Sequence, residues 1–197
     1  MTPPIDKLKL FPLGLILLKG EQTYLHVFEP KYLQLLKECM NSDHIFGIPF
    51  IQDGKLTKFG SKVKMKKIVR KYPNGTFDIL IEGIENFTLL NIVEDLDKLY
   101  LSGMTESHIH TQKSGLTLST LFQMYLEKTD EITDNDPQKG YSIEDISVCL
   151  QMSLAEKYKF VSSVSFSAKE KFLVNQIRFL LFLSELECKM EYNFSLN

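Results

Sequence analysis

The sequence predicts an α+β protein in which a β-rich first half is followed by a helical second half. Short apolar–polar alternations separated by turn residues fill the first hundred residues, whereas apolar residues recur at helical spacing after about residue 107. This change of period predicts a β-rich part at 1–106 with one helix at 30–40, and a helical part at 107–197 ending in a long helix at 168–190. With 44% hydrophobic and 24% charged residues, the 197-residue chain is typical of a folded protein with a core.

Seven short strands are predicted in the first part. Asp53-Gly54 and Asn74-Gly75 mark two hairpin turns between them, because these dipeptides tolerate positive φ angles. Antiparallel strands joined by hairpins predict a small barrel or a folded sheet. The predicted strands are Leu8–Phe11, Leu15–Leu18, Ile45–Ile51, Ser61–Tyr72, Phe77–Glu82, Phe87–Glu94 and Leu99–Thr105.

One helix interrupts these strands, from Pro30 to about Met40. Proline suits the first helical position, where its missing N–H costs no hydrogen bond. Apolar side chains recur with i, i+3, i+4 spacing from Tyr32 onward, so one face of this helix is expected to be buried.

Four helices are predicted in the second part. The first is Leu116–Thr129, and the acidic stretch from Glu127 to Asp136 is expected to be a solvated loop or a frayed helix end. Ser142-Ile-Glu-Asp145 resembles a capping box that opens a helix toward Ser153, and a short helix is expected at Ser153–Ser162. Ser167-Ala-Lys-Glu170 matches the capping-box pattern and is expected to begin the long last helix.

The long last helix contains the segment Phe179–Leu183, which is apolar on every side. Such a segment is typical of a helix at the centre of a bundle. We therefore expect it to be largely buried against neighbouring helices or the β-rich part, with a homodimer interface as the alternative cover.

Composition and targeting signals favour a cytoplasmic protein. The net charge is −2, and three cysteines form no C-x-x-C pair, which fits a reducing compartment. Pro12 and Gly14 interrupt the apolar run near the start, so a signal peptide is not expected. The run from Phe172 to Leu186 is too short and too polar to span a bilayer, so no membrane partner is expected.

No catalytic, metal or cofactor site is predicted from the motifs. The sequence lacks a Gly-Lys-Ser/Thr phosphate loop, a G-x-G-x-x-G turn and a G-x-S-x-G nucleophile motif. His108-x-His110 could chelate a metal, but no third ligand with suitable spacing is evident. We therefore expect a protein that is not an enzyme and that needs no cofactor.

A basic stretch extends from residue 55 to residue 71, with eight lysines and arginines and no acid. Lys62, Lys64 and Lys66 alternate with apolar residues, so they would form one charged face of a strand. Such a face is typical of a nucleic-acid interface or of an edge strand that lysines protect from aggregation. Because no aromatic residue interleaves with the lysines, nucleic acid is the less favoured partner.

Several motifs in the first half together resemble the N-terminal, substrate-binding domain of Lon protease. Lys31 and Asn86 stand where the family usually has arginine, so hydrogen bonds of those arginines are not expected to carry over. The resemblance covers residues 8–106 and continues weakly through the helical half. The motifs are Leu10-Phe-Pro-Leu-Gly14, Leu25-His-Val-Phe-Glu-Pro-Lys-Tyr32, Phe46-Gly47, Gly60-Ser-Lys-Val63, Pro73–Gly83 and Ile84-Glu-Asn-Phe87.

The resemblance implies a PUA-like β-barrel followed by a small helical bundle, and polypeptide recognition without proteolysis. A complete Lon protease continues into an ATPase module and a Ser-Lys protease domain, whose motifs this sequence lacks, so it resembles the stand-alone N-terminal domain proteins. The implied partners are unfolded or degron-bearing polypeptides and a separate protease. RNA binding by the lysine face is the alternative, and ATP-dependent peptidase activity is less favoured.

Four apolar residues near these motifs are candidates for polypeptide binding. Each of them could instead serve core packing, which is the commoner role of such side chains. The candidates are Phe11, Leu13, Phe28 and Tyr32.

Overall fold

The computed structural model describes residues 4–110, 112–129 and 140–194, with residues 188–194 described by their backbone alone. Within these residues an antiparallel sheet is followed by helices, so the α+β prediction is confirmed. The elements are β1 (Ile5–Lys9), β2 (Gln22–Val27), α1 (Pro30–Met40), β3 (Ile45–Gln52), β4 (Lys55–Lys71), β5 (Phe77–Val93), β6 (Ser102–Ser107), α2 (Leu116–Thr129), α3 (Ile143–Cys149), α4 (Leu154–Ser162) and α5 (Phe166–Phe194).

The sheet does not close into a barrel, which corrects that part of the prediction. Its strands follow the order β1-β6-β5-β4-β3, with β2 added on β5. Among the described residues, two isolated parallel bridges connect the two ends, Leu10 with Gly47 and Leu13 with Phe50. Pro12 lies between these bridges and has no N–H to donate, so a continuous ladder cannot form there.

Apart from shifts in their bounds, the strands differ from the predicted set in three places. Leu15–Leu18 is not a strand, because its N–H groups bond to side chains: Leu17 N donates to Ser61 Oγ and Leu18 N to Glu21 Oε2. The two strands predicted on either side of Gly83 are one long strand, β5. Strand β2 is not among the predicted strands, because its exposed aromatic residues hide its alternation.

The helices largely follow the predicted boundaries. The ranges of α1 and α2 match, and Ser142 and Asp145 form the predicted capping box of α3. The box predicted at Ser167 is wrong: α5 begins at Phe166, and Ser165 Oγ accepts the hydrogen bond from Ala168 N. Most of the acidic stretch expected to be a loop lies outside the described residues.

The main core lies between the sheet and α1. The helix buries one face, including Leu35 and Leu36, against sheet residues such as Phe46, Ile79 and Ile81. All five side chains are at most 1% exposed, so this core is closely packed and can hold the surrounding loops in place.

The contacts divide the chain into two units. The first contains Met1–Ile109 with Met152–Ser162, and the second contains His110–Gln151 with Ser163–Asn197. The structure therefore places α4 with the sheet, whereas the change of period in the sequence predicts it in the helical part. Tyr158 of α4 explains this difference, because its ring packs against Phe50 and Phe59 of the sheet.

The second unit corrects the expectation for Phe179–Leu183. Phe179 and Phe182 are exposed, and Leu181 is half-buried. Lys128 Nζ lies 3.5 Å from Leu181 O, so α2 runs beside α5 and ends at this level of the helix. The described helices of the unit thus cover only one face of the segment.

Candidate functional site

A groove lies between the β3–β4 hairpin and α4 in the first unit. Its volume is about 460 Å³, and apolar side chains line most of it. Apolar clefts of this size, with a few polar groups at the rim, are the usual form of a ligand site. The lining residues are Phe50, Ile51, Gln52, Asp53, Leu154, Ala155, Tyr158 and Lys159.

The local sequence determines where α4 begins. Ser153 Oγ accepts a hydrogen bond from Glu156 N at 3.4 Å, and Glu156 Oε2 accepts one from Ser153 N at 2.7 Å. This reciprocal cap satisfies two N–H groups that a helix start leaves free. As a result, Leu154 and Ala155 occupy the first helical turn, where their side chains face the groove and remain exposed.

Aromatic packing fixes the inner wall of the groove. The Tyr158 ring lies 5.3 Å from the Phe50 ring and 6.1 Å from the Phe59 ring, measured between centroids. Phe160 and Val161 of the same helix are buried, with 3% and 0% of their surface exposed. An ion pair of 2.6 Å between Lys157 and Glu21 holds the next turn of α4. The groove is therefore preformed rather than dependent on a ligand.

The rim of the groove supplies polar groups of both charges. Asp53 and Gly54 adopt φ angles of 51° and 73°, which are typical of a tight hairpin turn. This turn holds Asp53 and Gln52 at one end of the groove, and Lys159 lies on α4. The arrangement can enclose an apolar side chain and leave polar groups at the edge for a peptide backbone.

Two of the predicted binding residues lie in the core. Phe11 is 4% exposed, and its ring stacks on that of Tyr32 with centroids 3.8 Å apart. Leu13 is partly buried, and its backbone bonds to Pro49 and Ile51 of β3 beside the groove. The structure thus brings Phe11 and Tyr32 together as core residues and places Leu13 beside β3, a strand that lines the groove.

Phe28 is 61% exposed, unlike the other three candidates. Its ring stacks on His26, with the centroids 5.8 Å apart. His26 Nδ1 lies 2.6 Å from Asp78 Oδ1, and Tyr72 Oη donates a 2.6 Å hydrogen bond to Asp78 Oδ2. The hydrogen bond from Tyr72, followed by that from His26, holds the pKa of Asp78 below its usual value. The four predicted residues therefore do not form one exposed surface.

Lys62 and Lys66 are paired with acids. Lys62 Nζ lies 2.7 Å from Asp6 and 2.8 Å from Glu85, and Lys66 Nζ lies 3.2 Å from Glu82. Burial alone would lower the pKa of Lys62, but these hydrogen bonds outweigh it and raise the pKa. Asp6 of β1 and the two acids of β5 thus offset much of the positive charge on the face formed by Lys62, Lys64 and Lys66.

The end of β4 behaves as an edge strand. The ladder with β3 begins at Lys64, and Met65 N still donates to His44 O, so in the described part of the chain the residues of β4 beyond Met65 pair with β5 on one side only. Lys66, Lys67, Arg70 and Lys71 occupy this edge and are exposed. Charged side chains at an open edge oppose pairing with other chains. This geometry agrees with the protective role considered for the basic stretch.

Other groups that could act chemically are poorly placed for it. Cys39 is buried, and burial raises the pKa of its thiol to about 11, so little reactive thiolate is present at neutral pH. Among the described residues, no three His, Cys, Asp or Glu side chains are grouped to hold a metal ion. None of the helices described reaches the length and apolarity that crossing a membrane requires.

A sequence profile of the substrate-binding domain of ATP-dependent protease La (LON) matches residues 7–179. The chain belongs to this Lon substrate-binding domain family. The match extends through α4 and into α5, so it includes both walls of the groove. It confirms the resemblance seen in the sequence, and it concerns the substrate-binding domain of the protease rather than its catalytic domain.

Two solved structures share the fold. A Lon N-terminal domain protein from Xanthomonas campestris superposes with a TM-score of 0.63 at 19% identity, over 89% of this chain and 97% of that one. The N-terminal domain of a Mycobacterium avium complex Lon protease gives a TM-score of 0.53 at 10% identity, over 91% of this chain and 98% of that one. At these identities the likeness shows the fold alone.

A curated relative of another kind also matches. The CRISPR-associated endoribonuclease Cas13a of Leptotrichia wadei is 27% identical over 162 residues. The match covers 82% of this chain but spans only 13% of the length of that protein.

The groove residues Phe50, Leu154 and Tyr158 are not among the site residues that the sequence predicts. Phe50 and Tyr158 are far apart in the chain, and only the packing of α4 on the sheet brings them together. One local signal was available, since Ser153-Leu-Ala-Glu156 has the capping-box pattern, which places Leu154 in the first turn of a helix.

Proposed function

We propose that this protein binds exposed apolar segments of other polypeptides, with an apolar side chain seated in the groove between β3 and α4. The observation that carries the proposal is the preformed apolar groove in a chain of the Lon substrate-binding domain family. Unfolded and degron-bearing chains expose the apolar side chains that such a groove accepts, whereas folded proteins bury them.

The groove is suited to weak and reversible binding. Burial of one leucine- or phenylalanine-sized side chain contributes about 1.5–3 kcal/mol, from which the ordering of the peptide must be subtracted. A single contact of this size gives at best millimolar affinity, so measurable binding requires neighbouring contacts or several segments of one unfolded chain. Gln52, Asp53 and Lys159 at the rim can supply such contacts to the peptide backbone.

The test is fluorescence anisotropy with a labelled unfolded model protein and the variants Leu154→Asp and Leu116→Asp. Both leucines are exposed and each is the first residue of a helix, where an acid is favourable for the helix dipole. We expect Leu154→Asp to weaken binding at least fivefold and Leu116→Asp to bind like the wild type. Equal affinity of all three proteins would overturn the groove assignment, and no binding by the wild type would overturn the function.

We further propose that binding is not accompanied by cleavage. The matched family is the substrate-binding domain of the protease, and no catalytic motif was found in the sequence. Incubation of casein with the protein and ATP should leave the casein intact by mass spectrometry. Cleavage products that a serine-directed reagent abolishes would contradict this part of the proposal.

A separate protease is the proposed recipient of the bound chain, with the cytoplasm as the proposed location. In a degradation assay with a complete Lon protease and an unfolded substrate, addition of this protein should change the rate of substrate loss. Leu154→Asp should remove that change and Leu116→Asp should retain it. An unchanged rate at saturating protein would contradict a role in delivery.

RNA binding is the second candidate. The exposed guanidinium of Arg70 lies 4.8 Å from the Tyr72 ring, which is an arrangement that single-stranded nucleic acids can use, and one partial relative is named as an endoribonuclease. The ion pairs of Lys62 and Lys66 weigh against it. This candidate predicts salt-dependent RNA binding that weakens in the triple variant K62Q/K64Q/K66Q, and absent binding at low salt would eliminate it.

A further inference from the structure

A stripe of large apolar side chains runs along α5 on a face that no described element covers. The four side chains have the i, i+3, i+4, i+7 spacing of one helix face. Folded proteins rarely leave such a continuous apolar stripe in water unless it meets a partner. The residues are Phe179, Phe182, Leu183 and Leu186, and they are 52%, 56%, 37% and 39% exposed.

The stripe lies opposite the face that α5 buries in its own unit. Leu173 and Ile177 on that buried face are fully covered. At about 100° per residue, Phe179 and Leu186 each lie close to 180° around the helix from Ile177. The same helix therefore packs against its own unit with one face and presents a second apolar face outward.

We propose that α5 pairs antiparallel with α5 of a second copy of this chain, around a two-fold axis that passes near Phe182. In this register Phe182 meets the partner's Phe182, and Phe179 meets the partner's Leu186. The two halves of the stripe thus cover each other, as a two-fold interface requires of a surface that binds itself.

The charges beside the stripe favour the antiparallel orientation. Arg178 and Glu185 lie on the same flank, seven residues apart, which is about 10 Å along the helix and too far for an ion pair within one copy. The proposed two-fold places Arg178 close to the partner's Glu185, and symmetry makes the contact twice. A parallel pair in register would instead place this flank of the two copies on opposite sides of the interface, so Arg178 could not reach the partner's Glu185.

The size of the stripe predicts a reversible dimer. Stable interfaces bury about 1,200–2,000 Å² in total, and four side chains from each copy supply less than this. We therefore expect a dissociation constant in the micromolar range, with monomer and dimer in exchange.

Sedimentation velocity of the full chain between about 1 and 200 µM tests the proposal. The wild type should dimerise, Phe182→Asp should remain monomeric, and Met124→Asp should dimerise like the wild type. Met124 is a matched control because it is 51% exposed on α2 of the same unit. A monomeric wild type, or a dimer that Phe182→Asp leaves intact, would overturn the proposal.

Charge reversal at Arg178 and Glu185 tests the antiparallel orientation and leaves the apolar side chains of the stripe unchanged. Arg178→Glu and Glu185→Arg should each weaken the dimer about tenfold, because each creates two like-charge contacts. The double variant R178E/E185R should restore wild-type affinity. If both single variants dimerise normally, or the double variant is weaker than either, the antiparallel register is wrong.

Discussion

Lys157 on α4 and Glu21 before β2 form a 2.6 Å ion pair in which both side chains are about four-fifths buried. Glu21 uses its other carboxylate oxygen to accept a hydrogen bond from Leu18 N at 2.8 Å. The Glu21 carboxylate therefore joins α4 to the segment before β2, and Glu21 O accepts a hydrogen bond from Gly83 N of β5. This connection positions the helix that forms one wall of the groove.

Lys157→Met should loosen α4 and reduce binding of unfolded polypeptide. The substitution leaves Glu21 without its cation in a partly buried place, so we expect a loss of about 1–3 kcal/mol of unfolding free energy. Urea denaturation gives this value, and anisotropy should show weaker binding. Lys159→Met, at an exposed position of the same helix, is the control for stability. A Lys157→Met protein with wild-type stability would show that the ion pair does not hold the helix.

Phe11→Ala should unfold the first unit far more readily than Phe28→Ala. Phe11 is 4% exposed and stacked on Tyr32, so its truncation leaves a cavity that costs about 3–5 kcal/mol. Phe28 is 61% exposed, and its truncation should change the unfolding free energy by about 0.5 kcal/mol or less. Chemical denaturation of the two variants measures this difference. Similar small losses for both would show that Phe11 is not a core residue.

Gly83→Ala should be strongly destabilising although alanine is small. A Cβ atom at this position would collide with the carbonyl oxygen of Leu18, and Gly83 N and O both bond to the segment before β2. The backbone must shift to admit the methyl group, so we expect a loss of about 2–4 kcal/mol. Gly75→Ala, in the hairpin turn where a Cβ meets nothing, should lose only about 1 kcal/mol from its positive φ angle. Differential scanning calorimetry distinguishes the two, and equal melting temperatures would contradict the close approach.

Lys169→Met should stabilise the protein at neutral pH. Lys169 is 3% exposed, and burial lowers its pKa from the usual 10.5 to about 8. The unfolded chain therefore binds this proton more tightly, which costs the folded state up to about 3 kcal/mol below pH 8. This cost fades as the pH rises from 8 to 10.5, so the advantage of Lys169→Met should shrink over that window. Urea denaturation at pH 7 and pH 10 measures it, and an equal difference at both pH values would contradict the lowered pKa.

The sequence predicts local features of this fold better than the contacts between distant segments. Helix α1 could be predicted because Pro30 and its apolar spacing are local signals, and the Asn74-Gly75 turn likewise marks the β4–β5 hairpin. The continuity of β5 through Gly83 could not be predicted. A glycine is required there because the backbone of Leu18, which is distant in sequence, approaches too closely for a Cβ atom.

The candidate site shows the same limit. The sequence indicates Phe11 and Tyr32 as candidates because large apolar residues near a family motif can bind polypeptides, but the fold stacks them against each other in the core. Phe50 and Tyr158 belong to segments that the sequence assigned to different parts of the chain, so their meeting at the groove required the structure.

Methyl NMR of the protein labelled at alanine tests the groove assignment most directly. The chain contains only two alanines, Ala155 in the groove and Ala168 on α5. Both are exposed, so each gives a separate report on its surroundings. Titration with an unfolded polypeptide should shift or broaden the Ala155 signal in a saturable way and leave Ala168 unchanged. An unchanged Ala155 signal under conditions where anisotropy shows binding would place the polypeptide elsewhere and contradict the account.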